Sequence, residues 1–187
     1  MFEQQVVTHC APTLAGIKMA GLFSYYYISK QKFAEELKLC SEKLKNTGVS
    51  IAVLRERKGA ALVYVYRKSM LCATLQNEAV AAFLGAYYDL ENCSSENCWC
   101  IVQTLRNRFR MSDDFPHEIG IFLGYPLEDV IGFIKNEGKN YKCIGCWKVY
   151  CNEQAARCLF CKYDKCRNVY QRLFQNGRSL RQLTVAA

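Results

Sequence analysis

Twelve cysteines and two histidines give this 187-residue chain its widest chemical reach. Six of the cysteines fall in a repeated spacing: "CIGCWKVYC" (143–151) and "CLFCKYDKC" (158–166) both read C-x2-C-x4-C. Paired C-x2-C hooks hold tetrahedral zinc, because a tight turn aims two soft thiolates at one ion. Here the hooks Cys143/Cys146 and Cys158/Cys161 stand closer together than the roughly 15–20 residues such patterns usually place between them. Local geometry also scatters the repeat. A helix expected over 152–175 puts Cys166 about 12 Å along the axis from Cys158, so the second triplet cannot meet on one ion. In a strand, Cys143 and Cys151 share one face while Cys146 takes the other. A turn at Gly145 would reunite Cys143 and Cys146, and glycine permits it. What survives is "CIGC" as a dithiol or metal hook. His9, Cys143 and Cys146 are the candidate metal ligands, and a metal ion is the candidate cofactor.

The histidines offer a second chemistry. His9 directly precedes Cys10, and His117 lies in "FPHEIG". The latter is not the H-E-x-x-H of zinc proteases, since position 121 is Ile. A cysteine nucleophile needs a base, and chain neighbours rarely face each other. The pairing to test is therefore Cys10 with His117, with Glu118 orienting the imidazole. The structural alternative has each histidine hydrogen-bonded at a turn and Glu118 capping one. There is no dinucleotide fingerprint, Walker loop, G-x-S-x-G or kinase motif.

Charge supplies a third clue. Residues 1–138 carry 15 basic and 15 acidic residues, whereas 139–187 carry ten basic residues against Glu153 and Asp164. The net charge of +8 thus resides in the last quarter of the chain. Such asymmetry suits an anionic partner, although a solvated helix face would look the same. Lys148, Arg157, Lys165 and Arg172 are the candidate anion-binding residues, and Arg167 also lies off the expected apolar stripe. Aromatic residues interleave with these cations, as on surfaces that stack single-stranded nucleic acid. Tyr163 and Tyr170 fall on the buried stripe, however, so nucleic acid is the less favoured partner.

These groups need a scaffold. A chain of this length, 51% hydrophobic and 22% charged, suits one globular domain over 1–187 with a basic strand–helix portion at 139–187. The alternation in "GLFSYYYI", "VSIAVLRER" and "AALVYVYRK" predicts strands near 21–28, 50–56 and 61–67, the last two forming a hairpin around Lys58-Gly59. Further strands are expected near 119–124 and 142–150. Helices are expected over 30–46 (capped by Ser29), over 70–75 and 78–87, over 96–111 behind a Ser94 or Ser95 cap, after Pro126, and over 152–175 from Asn152. A short helix over 2–9 precedes a turn at Pro12. The expected class is α+β, a small mostly antiparallel sheet packed by about five helices. Cys40, Cys98 and Cys166 fall on apolar stripes and are expected in the core.

No basic and apolar leader opens the chain, and its longest apolar run, "AVAAFLGAYY", is half of what a membrane span needs. A cytoplasmic protein with reduced thiols and no membrane association is the expectation.

"HCAPTLAGIK", "LFSY", "FPHEIGIFLGYPLEDVIGFI", "YKCIGCWKVY" and "NGRSLRQLTV" resemble domain-of-unknown-function family 3793, found in anaerobic Gram-positive bacteria. The resemblance spans essentially the whole chain and takes in His9, Cys10, His117, Glu118 and Cys143, but not Cys158 or Cys161. It implies no activity or cofactor, and points only to a flavodoxin-like carrier as a neighbour. The combined expectation is a thiol- or metal-dependent redox-associated protein or enzyme of an anaerobe. The alternative is a non-enzymatic binding module, its basic quarter docked on an acidic redox protein or another anionic partner.

Overall fold

The computed structural model describes residues 1–88, 98–111 and 115–186. The fold is a single α+β domain. Three strands, β1 (Ala20–Tyr26), β2 (Val49–Arg57) and β3 (Ala60–Arg67), form an antiparallel sheet in the order β1-β3-β2. Side chains alternate across it as a pleated strand requires. Phe23, Ala61, Val63 and Val65 enter one apolar cluster, and Ala20, Tyr64 and Tyr66 enter the other. A bulge between Val53 and Arg55 shifts the β2 register, and Leu54 enters the second cluster on the same side as Ala52.

The first cluster is closed by α1 (Phe2–Leu14), α2 (Lys30–Lys43) and the C-terminal segment through Leu180 and Leu183. The second is closed by α3 (Lys68–Leu75), α4 (Glu78–Leu84), α5 (Cys98–Met111), α6 (Ile119–Phe122) and α7 (Leu127–Lys135). A two-stranded hairpin follows, β4 (Cys143–Ile144) with β5 (Lys148–Val149), and then α8 (Glu153–Gln175). The hairpin and α8 enclose a third small cluster around Trp147 and Phe160.

Local signals account for most boundaries. Ser29 accepts from the Lys32 amide at 3.3 Å and Asn152 from the Ala155 amide at 3.0 Å, as N-caps do. Gly59 turns the β2–β3 hairpin at φ +72°. Four expectations change. The segment at 119–124 is a helical turn, not a strand. All four residues of α6 are buried, and the Ile119, Gly120 and Ile121 amides bond back to Pro116, His117 and Glu118. A short wholly apolar run reads alike in both states. The expected strand over 142–150 is instead the β4–β5 hairpin, with Gly145 at its turn. Helix α1 runs on through Pro12 to Leu14. Among the described residues there are eight helices, the seven segments expected to be helical and α6, where about five were expected to pack the sheet.

Nine described cysteines are free, including Cys40, which is buried in the core, and Cys166, which is half-buried. Cys72 departs from the all-reduced expectation, being disulfide-bonded. The capping Ser94 or Ser95 and the side chain of Cys98 lie outside the described residues. No helix among those described is long and apolar enough to cross a membrane.

Candidate functional site

His9, His117 and Cys146 open onto one cavity of about 980 Å³. Helix α1, the connection into β1, the turn before α6, the β4–β5 hairpin and α8 all contribute to its wall. Residues more than a hundred positions apart in the sequence therefore meet here.

Cys10 stands just behind that wall. It is fully buried, and a Cβ placed on Gly21 would lie 2.6 Å from its Sγ. Glycine at 21 is what lets β1 pass so close to α1. Burial pushes the Cys10 thiol up to about 12, although Lys18 pulls the other way. Cys10 is thus held as a neutral thiol, which does not suit the nucleophile expected of it. His117 is exposed and its ring tilts against Phe133 with centroids 4.9 Å apart. Glu118 does not orient it. The Glu118 carboxylate is 2% exposed and accepts from Arg108 Nε and, at 3.0 Å, from the Tyr88 hydroxyl. That arrangement ties α5 to the segment before α6.

His9 stacks on Phe23 with centroids 5.1 Å apart, and its Nε2 meets Gln5 Oε1 at 3.1 Å. Desolvation, then the nearby Arg167 charge, lower its pKa, so the ring is neutral near pH 7.

The hairpin decides the fate of "CIGC". Gly145 donates its amide to the Trp147 carbonyl at 3.1 Å, which makes the turn that glycine permits. The turn gives the two thiols different surroundings. Cys143 packs into the Trp147–Phe160 cluster at 6% exposure, while Cys146 faces the cavity. Among the described residues no group of three or more His, Cys, Asp or Glu could hold a metal ion. The expected set of His9, Cys143 and Cys146 is therefore not assembled. Gly145 has a second constraint: a Cβ there would lie 2.2 Å from the Phe160 ring. Gly145→Ala is expected to cost about 1–2 kcal/mol through overpacking, read as a lowered urea midpoint with an unchanged slope.

Cys146 keeps a partner that sequence reasoning missed. Arg167 donates from Nη2 to Cys146 Sγ at 3.2 Å, while its Nη1 is paired with Asp164. The expected exposed position of Arg167 is wrong. At 100° per residue Ala156, Phe160, Tyr163 and Arg167 share an arc of about 60°, and the first three are buried. The buried face of α8 is rotated from the expected stripe, and Ala155 is exposed.

Lys18 is the other residue missed. Its Nζ donates to the Ala20 carbonyl at 2.6 Å and sits 5.3 Å from the centre of the Tyr125 ring. Desolvation lowers its pKa to about 8; the neighbouring Cys10 and Cys146 thiols oppose that fall, and Arg167 adds to it. Tyr125 stacks on Trp147 at 4.8 Å and donates from its hydroxyl to the Cys146 carbonyl at 3.1 Å. Among the described residues the one carboxylate in the cavity wall is Asp129, which is 3% exposed and already binds three hairpin donors.

Of the expected anion-binding residues, Lys148 lines the cavity and donates to the Gly138 carbonyl at 2.7 Å. Arg157, Lys165 and Arg172 are exposed along α8, away from the cavity, and Arg157 is paired with Glu153.

Among the described residues the wall thus presents Lys18, Lys148 and Arg167, the last also paired with Asp164, beside two histidines, one thiol and the occupied Asp129 carboxylate. Its Tyr125–Trp147 side has the stacked, apolar character that suits a planar group. A family model described as "Protein of unknown function (DUF3793)" matches residues 6–184. No curated protein and no solved structure matches the chain.

Proposed function

The chain belongs to the DUF3793 family, whose description carries no activity, and from the chemistry of its cavity we propose that the protein binds a small anion there and presents the Cys146 thiol to it. The observation that carries this reading is the 3.2 Å contact of Arg167 with Cys146 Sγ inside a cavity that Lys18 also lines. A guanidinium beside sulfur can hold a carboxylate or phosphate next to it. The reading keeps the thiol-dependent chemistry expected from the sequence, but moves it from Cys10 to Cys146 and assigns it no metal. It requires a reduced thiol, and Cys146 is free in the structure. The acidic-partner alternative has less support, because its cations are strung along an exposed helix face and Arg157 is already matched by Glu153.

Alkylation tests the reading. Free cysteines on an ordinary surface react faster with neutral iodoacetamide than with anionic iodoacetate. Cys146 is expected to reverse that preference by about tenfold relative to exposed Cys151, Cys158 and Cys161, an attraction of about 1.4 kcal/mol. Peptide mapping after brief labelling reads all four sites at once. Arg167→Gln should abolish the reversal. If Cys146 shows the same reagent ratio as Cys158, the cavity does not concentrate anions at the thiol and the reading fails.

A further inference from the structure

Lys18 has a geometry that anion binding alone does not use. An ordinary surface lysine extends into water or pairs with a carboxylate. The Lys18 side chain is instead folded back over the Tyr125 ring, with Nζ held by one backbone carbonyl. The titratable groups that face it are Cys10 from α1, Cys146 from the hairpin and Arg167 from α8, with Tyr125 beneath and the two histidines on the same cavity wall. Among the described residues no carboxylate bears on it. The Ala20 carbonyl, the Tyr125 ring and the Cys10 and Cys146 sulfurs favour the charged amine, and desolvation by burial outweighs them.

We propose that Lys18 forms an imine with the carbonyl group of a 2-oxo acid whose carboxylate rests on Arg167. The proposal rests on the anion-binding reading of the cavity and names the ligand class. In the step, the neutral Nζ adds to the carbonyl carbon to give a carbinolamine. Both amine protons and the carbonyl oxygen then leave as water, and a C=N bond replaces the C=O bond. No oxidant or reductant enters. When the imine is protonated, its N–H can keep the Ala20 carbonyl as acceptor. A desolvated lysine suits this chemistry because a larger share of it is uncharged near neutral pH. Lys18 and Arg167 line the same cavity, so the carbonyl and the carboxylate of a 2-oxo acid each find a partner there.

The test is reductive trapping of the intact protein with pyruvate and sodium cyanoborohydride, followed by peptide mapping. Hydride converts the imine into a stable secondary amine that marks the lysine. Modification at Lys18 is expected at least tenfold above any other lysine, with a rate that rises through about pH 8 as the amine loses its proton. Acetone, which has the carbonyl but no carboxylate, should mark Lys18 at least tenfold less. Lys18→Arg should remove the mark. The unaltered protein carries the decisive map, so a poorly folding variant does not blunt the test. Even labelling of lysines in proportion to exposure overturns the imine. No label at Lys18 while Cys146 keeps its preference for iodoacetate overturns the imine and leaves the anion cavity standing. Loss of both overturns the two readings together.

Discussion

Asp129→Leu is expected to lower the stability of the protein by about 3–4 kcal/mol and to release the β4–β5 hairpin from α7. Asp129 is 3% exposed and spends both oxygens on that hairpin. Oδ2 accepts from Trp147 Nε1 at 2.7 Å, and Oδ1 accepts from the Tyr150 and Cys151 amides at 2.7 and 2.9 Å. Leucine fits the space roughly but leaves three buried or half-buried donors without an acceptor. Each such donor carries a desolvation cost of about 1–3 kcal/mol, part of which water at the half-exposed amides recovers. Asp129→Asn separates the contributions. Its amide oxygen can still serve the two backbone donors, but its NH2 group would face the indole N–H, so only the Trp147 anchor is lost. A loss of about half that of leucine is the expected result, with a tryptophan emission that shifts to the red under native conditions. Equal stability of all three proteins would show that the hairpin is held by packing alone.

This prediction bears on function because the hairpin carries Cys146. The Arg167 contact depends on the turn at Gly145 keeping its distance from α8, and Asp129 sets where that turn sits. Asp129→Leu should therefore also erase the reagent preference of Cys146, even at temperatures where the protein remains folded. A variant that is destabilised yet keeps the preference would place the hairpin under the control of Phe160 and Trp147 instead.

The same residue shows what a sequence does and does not disclose. Asp129 is legible as an acid in the first turn of a helix begun by Pro126, where the positive helix end favours it. That it also binds a hairpin twenty residues downstream is tertiary information with no local signature. The sheet was legible because alternation and a Lys-Gly turn are local signals, and the Ser29 and Asn152 caps were legible for the same reason. The segment 119–124 was not, because four apolar residues in a row carry no period. Lys18 carries no signal because it sits in a connection, and Arg167 reads as off the stripe because the buried face of α8 centres on Phe160 and Tyr163 rather than on Ala155 and Leu159. A wheel centred on Phe160 would have placed Arg167 inward. His9, His117 and Cys146 were singled out for their chemistry, and they share a cavity. Cys10, equally reactive by type, is sealed off by its neighbour Gly21.

Arg67→Met is expected to cost about 3 kcal/mol and to loosen the C-terminal segment selectively. Arg67 ends β3 at 3% exposure. Nε donates to the Thr13 carbonyl at 2.6 Å, and Nη2 donates to the Leu14 and Val185 carbonyls, each at 2.7 Å. The first two carbonyls close the last turn of α1, where the helix presents its negative end, so the guanidinium acts as a charged cap made by a strand. Burial lowers the pKa of Arg67, which still leaves the group charged at any pH where the protein would be studied. Methionine matches the length of the stem and fills the apolar part, so its cost isolates the three charge-assisted bonds rather than a cavity. Arg67→Lys keeps the charge but offers a single point donor where three carbonyls diverge, and about half the loss is expected. The selective part follows from Val185, whose amide donates to Leu14 at 3.0 Å while its carbonyl takes the guanidinium. Those two bonds hold the segment that buries Leu180 and Leu183 against α1. In Arg67→Met, limited proteolysis should begin within residues 178–186 before any other site opens, and amide exchange should rise there first. Because Cys10 lies on α1, buried beneath the elements packed on that helix, slow alkylation of Cys10 should follow in the same variant and stay absent in the parent. A variant that unfolds as a single unit, with no early cleavage of this segment, would mean that Leu180 and Leu183 hold it without help from the charge.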